Sequence, residues 1–167
     1  MNSQYSRLPF FLRILCTCGI CLLMATGSFT AIAAPNSDSC ALLKPADLAM
    51  LLGGKVVATK NAGACSWTAS GSKKKLIAAQ VKQVAGVPVE MAFMGTRQGA
   101  ASGGKGKVTD ETGLGDKAFS VKRPSLVALY VLKHGRMIEL QYITGTSVTA
   151  MEMGEFRSVA KKAIAAF

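Results

Sequence analysis

His134 is the only histidine in the chain, so catalysis of the usual histidine-dependent kind would rest on it. It precedes Gly135 between two apolar runs, a pattern typical of a tight β-hairpin turn, whose residues lie at an exposed tip and not in a cleft. The acids of residues 110–116 lie in a glycine-rich connection, and no two carboxylates are spaced to face one site. We therefore predict no catalytic residues, and a hydrolase stays an alternative.

Two pairs of methionines have the spacing of soft-metal ligands. Met91 and Met94 are three residues apart, and Met151 and Met153 are two apart. Thioether sulfur is a ligand that Cu(I) prefers, so a Cu(I)-binding protein is a second alternative, which requires the four side chains to converge. Methionines at helical spacing also pack in cores. We expect core packing here, and we predict no metal site and no cofactor.

Two glycine-rich segments come close to nucleotide-binding motifs. Residues 99–106 nearly match a phosphate-binding loop, but Gly106 stands where a Ser or Thr would hold magnesium, and the segment follows a predicted helix. Residues 113–118 spell the dinucleotide fingerprint, but they lead into a predicted strand and do not open a helix. We predict a flexible loop and a turn, with no nucleotide among the partners.

Lysines outside these motifs form the candidate binding surface. The chain has 20 Lys and Arg against 9 Asp and Glu, a formal net charge of +11, which favours anionic partners. The candidate residues are Lys73, Lys74, Lys75, Lys105 and Lys107. No aromatic residues alternate with them, so a groove that stacks nucleic-acid bases is poorly supported. A solvated loop that serves solubility is the alternative.

The first 33 residues have the pattern of a cleavable secretory signal peptide. Arg7 and Arg13 precede the apolar residues 14–29, and Ala31 and Ala33 supply the small side chains of a cleavage site. The apolar run is shorter than the ~20 residues that a membrane span needs, and no cysteine stands in a lipobox. We predict cleavage after Ala33, a periplasmic or secreted bacterial protein, and no integral membrane anchor after cleavage.

Two cysteines, Cys40 and Cys65, remain beyond that cleavage point. An even number of cysteines in an oxidising compartment favours a disulfide, and two free thiols or a metal pair are the alternatives. Such a bridge would stabilise the fold by roughly 3.5 kcal/mol. Residues 34–167 are long enough for a single domain with its own core.

The periodicity and the capping signals of residues 34–167 predict three helices and six strands. Pro45 suits the first position of a helix and Gly53 its left-handed stop, while Thr149 and Glu152 can form a capping box, with Ser147 as an alternative cap. In the last strand the apolar residues alternate with Glu139 and Gln141, so one sheet face should be buried and the other wet. The predicted helices are 45–52, 88–101 and 147–166, and the predicted strands are 55–60, 64–69, 76–84, 117–121, 126–132 and 137–144. The order α-β-β-β-α-β-β-β-α predicts an α+β fold, an antiparallel sheet covered by helices.

Three short motifs resemble a family of small bacterial envelope proteins of unknown function. They are the Cys-Ala-Leu-Leu-Lys-Pro-Ala-Asp-Leu segment that begins at Cys40 and ends on Gly53, the Cys65-Ser-Trp67 segment, and the Gly-Leu-Gly-Asp-Lys-Ala turn of residues 113–118. The resemblance implies a Cys40–Cys65 bridge and an α+β fold, and it implies no reaction. The chain departs from that family by its lack of a lipobox.

These features favour a small, basic, exported binding or interaction module in the bacterial periplasm or envelope. An anionic envelope component or a protein would be its partner. The two alternatives are a hydrolase that acts on envelope material and a Cu(I)-binding protein.

Overall fold

Seven strands of the described residues form one antiparallel sheet with helices on both of its faces. The computed structural model describes residues 38–70, 75–82, 86–104 and 106–167, so the predicted signal peptide lies outside the described residues. The helices are α1 (Pro45–Leu52), α2 (Val89–Ser102) and α3 (Ala150–Ala165), and a short 3₁₀ helix (Ser39–Leu42) precedes them. The strands are β1 (Val56–Asn61), β2 (Ala64–Ala69), β3 (Lys75–Lys82), β4 (Lys107–Glu111), β5 (Lys117–Arg123), β6 (Leu126–Lys133) and β7 (Arg136–Thr144). Their order in the sheet is β1-β2-β3-β7-β6-β5-β4.

The α+β class is confirmed, but the predicted order of elements is wrong by one strand. Four strands, not three, separate α2 from α3, and the missed strand is β4 at the edge of the sheet. Its sequence, Lys-Val-Thr-Asp-Glu, carries one large apolar residue, Val108, and two acids that strands generally disfavour. Pairing with β5 stabilises it, and Arg97 and Arg157 bind its acids. Tertiary contacts, and not the local β-propensity of its residues, therefore stabilise β4 as a strand.

Capping signals in the sequence set the ends of two helices. Pro45 is the first residue of α1, and Gly53 ends it with a left-handed φ of 79°. At the start of α3 the Thr149 hydroxyl accepts a hydrogen bond from the Glu152 N–H, and the Glu152 carboxylate accepts one from the Thr149 N–H. This is the predicted capping box, and Thr149 rather than Ser147 is the cap.

The larger core lies between the sheet and the layer of α1 and α3. Ile138, Leu140 and Tyr142 of β7 alternate toward it, as predicted, and all three are fully buried. Trp67 of β2 is also fully buried, and Phe156 of α3 stacks on Tyr142 with 5.8 Å between ring centroids. Each such side chain contributes about 1.5–3 kcal/mol of burial free energy, so this layer dominates the packing.

A smaller core on the opposite face shows that the prediction of one wet face is wrong. There Phe93 of α2 packs edge-on against Phe119, which stacks on Tyr130. Glu139 faces this side of β7 and is only 6% exposed, with hydrogen bonds from Lys82 and Gln141. Burial by itself would raise the pKa of Glu139, but these hydrogen bonds outweigh it and lower the pKa.

A disulfide between Cys40 and Cys65 confirms the predicted pairing. It joins the 3₁₀ helix to β2 across 25 residues, with 5.0 Å between the Cα atoms. Next to it, the buried Ser39 hydroxyl donates a 2.7 Å hydrogen bond to the Gly63 carbonyl in the β1–β2 turn. The bridge therefore anchors the start of the described chain to β2, which lies next to the edge strand β1.

Candidate anion-binding surface

The antiparallel pairing brings positive side chains from separate parts of the sequence to one end of the sheet. Lys75 opposes Thr144 there, Arg123 opposes Leu126, and Lys107 opposes Lys122. Lys55 lies directly before β1, and its carbonyl accepts a hydrogen bond from the Ser70 N–H, so it lies at the same end. We call this surface the basic end, and its described members are Lys55, Lys75, Lys107, Lys122 and Arg123.

Two of the five predicted binding residues, Lys75 and Lys107, lie in the basic end. Lys73, Lys74 and Lys105 lie outside the described residues, although each is within two residues of Lys75 or Lys107 in the sequence. Sequence reasoning missed Lys55, Lys122 and Arg123. The signal that could have found them is their position at strand ends, once the strand order is known.

Few acidic side chains lie at the basic end. Of the nine Asp and Glu residues, six form ion pairs within the described part of the chain, and only Glu152 among those six is at this end. Glu152 binds Lys75. Lys55, Lys107, Lys122 and Arg123 are exposed, and no ion pair to any of them occurs among the described residues. These four charges can therefore meet an external anion without breaking a salt bridge.

Lys75 has a structural role that the sequence did not indicate. Its ammonium lies 2.9 Å from Oε1 of Glu152, which also accepts a 2.9 Å hydrogen bond from the Tyr142 hydroxyl. The same ammonium donates to the Leu51 carbonyl near the end of α1. Lys75 thereby connects β3 to both helices of the larger core. We conclude that it supports the basic end more than it offers a free charge.

The protonation state of this network follows from its hydrogen bonds. The Thr149 N–H and the Lys75 ammonium lower the pKa of Glu152 to about 2, against the opposing effect of burial. Burial and the neighbouring Glu152 carboxylate raise the pKa of Tyr142. Glu152 is therefore ionised and Tyr142 neutral at neutral pH, which is the combination that the hydrogen bond between them requires.

The width of the basic end limits the kind of ligand that it suits. Six strand spacings of about 4.8 Å separate Lys55 beside β1 from Lys107 on β4, a distance of about 29 Å. No single small anion spans this distance. The arrangement suits an extended anionic surface or polymer that contacts several cations at once.

Comparison with known proteins gives no family. No family model, no curated protein and no solved structure matches the chain. The resemblance to small bacterial envelope proteins therefore stays a prediction.

A concave site also lies between α3 and the start of the β4–β5 connection, with a volume of about 590 Å³. Its two acids are both held by arginines. Arg157 donates to Glu111 at 3.0 and 2.8 Å, and Arg97 donates to Asp110 at 2.9 and 3.0 Å, which lowers the pKa of Asp110. Glu111 further accepts a 2.7 Å hydrogen bond from the Ser120 hydroxyl. These contacts hold the edge strand and offer no free acid–base pair for a hydrolase.

His134 is at the exposed β6–β7 turn, as predicted, and it does not line this cavity. Its φ of 49° and that of Gly135, 68°, are the left-handed values of a tight hairpin turn. The backbone N–H of His134 donates a 2.8 Å hydrogen bond to the Asp116 carboxylate.

The four methionines of the Cu(I) alternative do not converge. Met91 and Met94 are on α2, which packs on one face of the sheet, while Met151 and Met153 are on α3 at the opposite face. The expected core packing holds for Met153 alone, because the other three side chains are 54–72% exposed. Among the described residues, no group of three or more His, Cys, Asp and Glu side chains is arranged to hold a metal ion.

Within the described part of the chain, no helix combines the length and the apolar character that a membrane crossing requires.

Proposed function

We propose that the protein is an exported binding module of the bacterial periplasm or envelope, and that it binds an anionic partner through the basic end. The observation that carries this proposal is the convergence of Lys55, Lys107, Lys122 and Arg123 at one end of the sheet without a carboxylate partner among the described residues. The disulfide is compatible with an oxidising compartment. The N-terminal sequence pattern supports export.

Most of the ion-paired acids of the fold lie away from the basic end, so they do not neutralise its cations. Four of the six ion pairs involve Asp38, Asp110, Glu111 and Glu139, which lie away from the basic end, and Asp110 and Glu111 are at the opposite end of β4 from Lys107. The fold therefore separates a neutralised region from a positive one. Such a separation raises the local concentration of an anionic partner and its association rate.

The test compares two triple variants with the same net charge. Lys107→Gln/Lys122→Gln/Arg123→Gln removes three of the five described positive charges of the basic end, and Lys44→Gln/Lys117→Gln/Lys161→Gln removes three exposed positive charges elsewhere. We expect the first variant to elute from a heparin column at clearly lower salt than the wild type and the second to elute close to it. Equal shifts would show that net charge alone drives binding, and the basic end would have no special role.

The export part is tested separately in cells that express the full chain. We expect the periplasmic or medium fraction to contain a form whose mass corresponds to cleavage after Ala33. A protein that stays in the cytoplasm with residues 1–33 attached would overturn export. Crosslinking in intact cells, followed by mass spectrometry, would then identify the partner of the exported form.

A further inference from the structure

We infer that the anionic partner is a bilayer surface that contains anionic phospholipid, and that Met50 and Met151 enter its interface. This inference rests on the proposed function, because it names the partner class of the same basic end. Charge alone would suit a lipid surface, a soluble polymer or an acidic protein equally well. The exposed apolar side chains beside the charges distinguish them.

Met50 and Met151 are the two most exposed large apolar side chains of the described residues, at 80% and 72%. Met50 is in the last turn of α1 and Met151 is in the first turn of α3. Both turns lie at the basic end, because Lys75 joins the carbonyl of Leu51 to the carboxylate of Glu152. Each methionine is thus next in sequence to a residue that Lys75 contacts.

A soluble polyanion has no apolar region in which these methionine side chains could be buried. A bilayer interface accepts flexible apolar side chains while its anionic headgroups attract Lys and Arg. The cations extend over about 29 Å, which matches a planar, extended charge distribution better than a pocket-sized ligand. The network of Lys75, Glu152 and Tyr142 holds the two helix turns in place. The turns that carry the methionines therefore keep a fixed position relative to the strand end at Lys75.

Nucleic acid fits the same surface less well. Its single-stranded forms are bound by aromatic side chains that stack on the bases. Among the described residues, Trp67, Phe93, Phe119, Phe156 and Tyr142 are all buried in the two cores. The basic end therefore offers charge and methionine, which is the chemistry of a lipid interface.

The experiment measures cosedimentation with vesicles of phosphatidylglycerol and phosphatidylcholine (1:2), and with vesicles of phosphatidylcholine alone. We expect the wild type to bind the mixed vesicles and not the neutral ones. At about fivefold per neutralised cation, Lys107→Gln/Lys122→Gln/Arg123→Gln should weaken the partition coefficient roughly 100-fold. Met50→Gln/Met151→Gln should weaken it roughly 10-fold.

Exposed methionines on α2 supply the matched control. Met91→Gln/Met94→Gln makes the same chemical change at side chains that are 64% and 54% exposed on the other face of the sheet. We expect this variant to bind vesicles like the wild type. Circular dichroism melting of each variant shows whether it is folded, and the charge variant provides a second test if Met50→Gln/Met151→Gln does not fold.

The outcomes separate this inference from the proposed function. Binding to heparin without binding to the mixed vesicles overturns the lipid inference and leaves an anionic partner in place. Absence of both overturns both proposals. Vesicle binding that Met50→Gln/Met151→Gln weakens no more than Met91→Gln/Met94→Gln overturns the insertion of the methionines.

Discussion

Replacement of Glu152 by glutamine tests the network that supports the basic end. The folded protein lowers the pKa of this carboxyl from 4.5 to about 2, which corresponds to about 3 kcal/mol of stability for the ionised form. Glutamine keeps the shape and can still close a capping box, so part of the local structure remains. We expect Glu152→Gln to lower the free energy of unfolding by about 2–3 kcal/mol at pH 7 and the melting temperature by roughly 10 °C.

The effect of this substitution should depend on pH with a definite sign. Because the pKa of Glu152 is lower in the folded state, its contribution is fully present above the ordinary value of 4.5 and is lost as the pH falls toward 2. The stability difference between the wild type and the variant should therefore shrink across that window. Urea unfolding followed by circular dichroism at pH 7, 4.5, 3 and 2 measures it.

Glu155 provides the matched control, because Glu155→Gln removes the same charge from the same helix. Glu155 forms no ion pair among the described residues, so we expect a change within about 0.5 kcal/mol. If Glu152→Gln loses no more stability than Glu155→Gln at pH 7, the bridge to Lys75 contributes nothing. If the loss is the same at every pH, the ionised carboxylate is not its cause.

Two further predictions concern the disulfide and a glycine turn. Cys40→Ala/Cys65→Ala should lower the free energy of unfolding by about 3 kcal/mol. In calorimetry, a reducing agent should destabilise the wild type but not this variant. If the reducing agent destabilised both proteins equally, the disulfide assignment would be refuted. Gly115→Ala should lower the free energy of unfolding in urea by at least about 2 kcal/mol more than Gly113→Ala. Both glycines have a positive φ, but only at Gly115 would a Cβ meet the Leu132 carbonyl, at 2.6 Å. Equal losses of stability would show that the structure relaxes around this contact.

Elements with strong local signals could be predicted from the sequence. The start and end of α1 follow from Pro45 and Gly53, and the start of α3 follows from the capping box of Thr149 and Glu152. These signals work because each one satisfies backbone groups within a few residues of itself. The strand Ala64–Ala69 was also predicted with its observed bounds.

The buried face of α2 could not be read in the same way. The helical spacing of Met91 and Met94 predicts that they face the core, but the helix buries Phe93 instead. Ala92 and Ala100 of the same helix are partly buried against this smaller core. Side-chain size therefore does not identify the buried face of α2, because that face depends on its fit to the opposing surface of the sheet.

The missed strand β4 explains why the basic end could not be assembled from the sequence. Without β4, Lys107 belongs to a connection that leads to the start of β5, where Lys117 is. With β4 in place, the chain reverses once more, and Lys107 pairs with Lys122 at the opposite end of β5. A single additional strand thus moves a lysine by the length of a strand, and it turns separate positive segments into one surface. The end of an antiparallel sheet at which a charged side chain lies depends on how many times the chain has reversed direction before it. A missed strand therefore places the charged residues that follow it at the wrong end of the sheet.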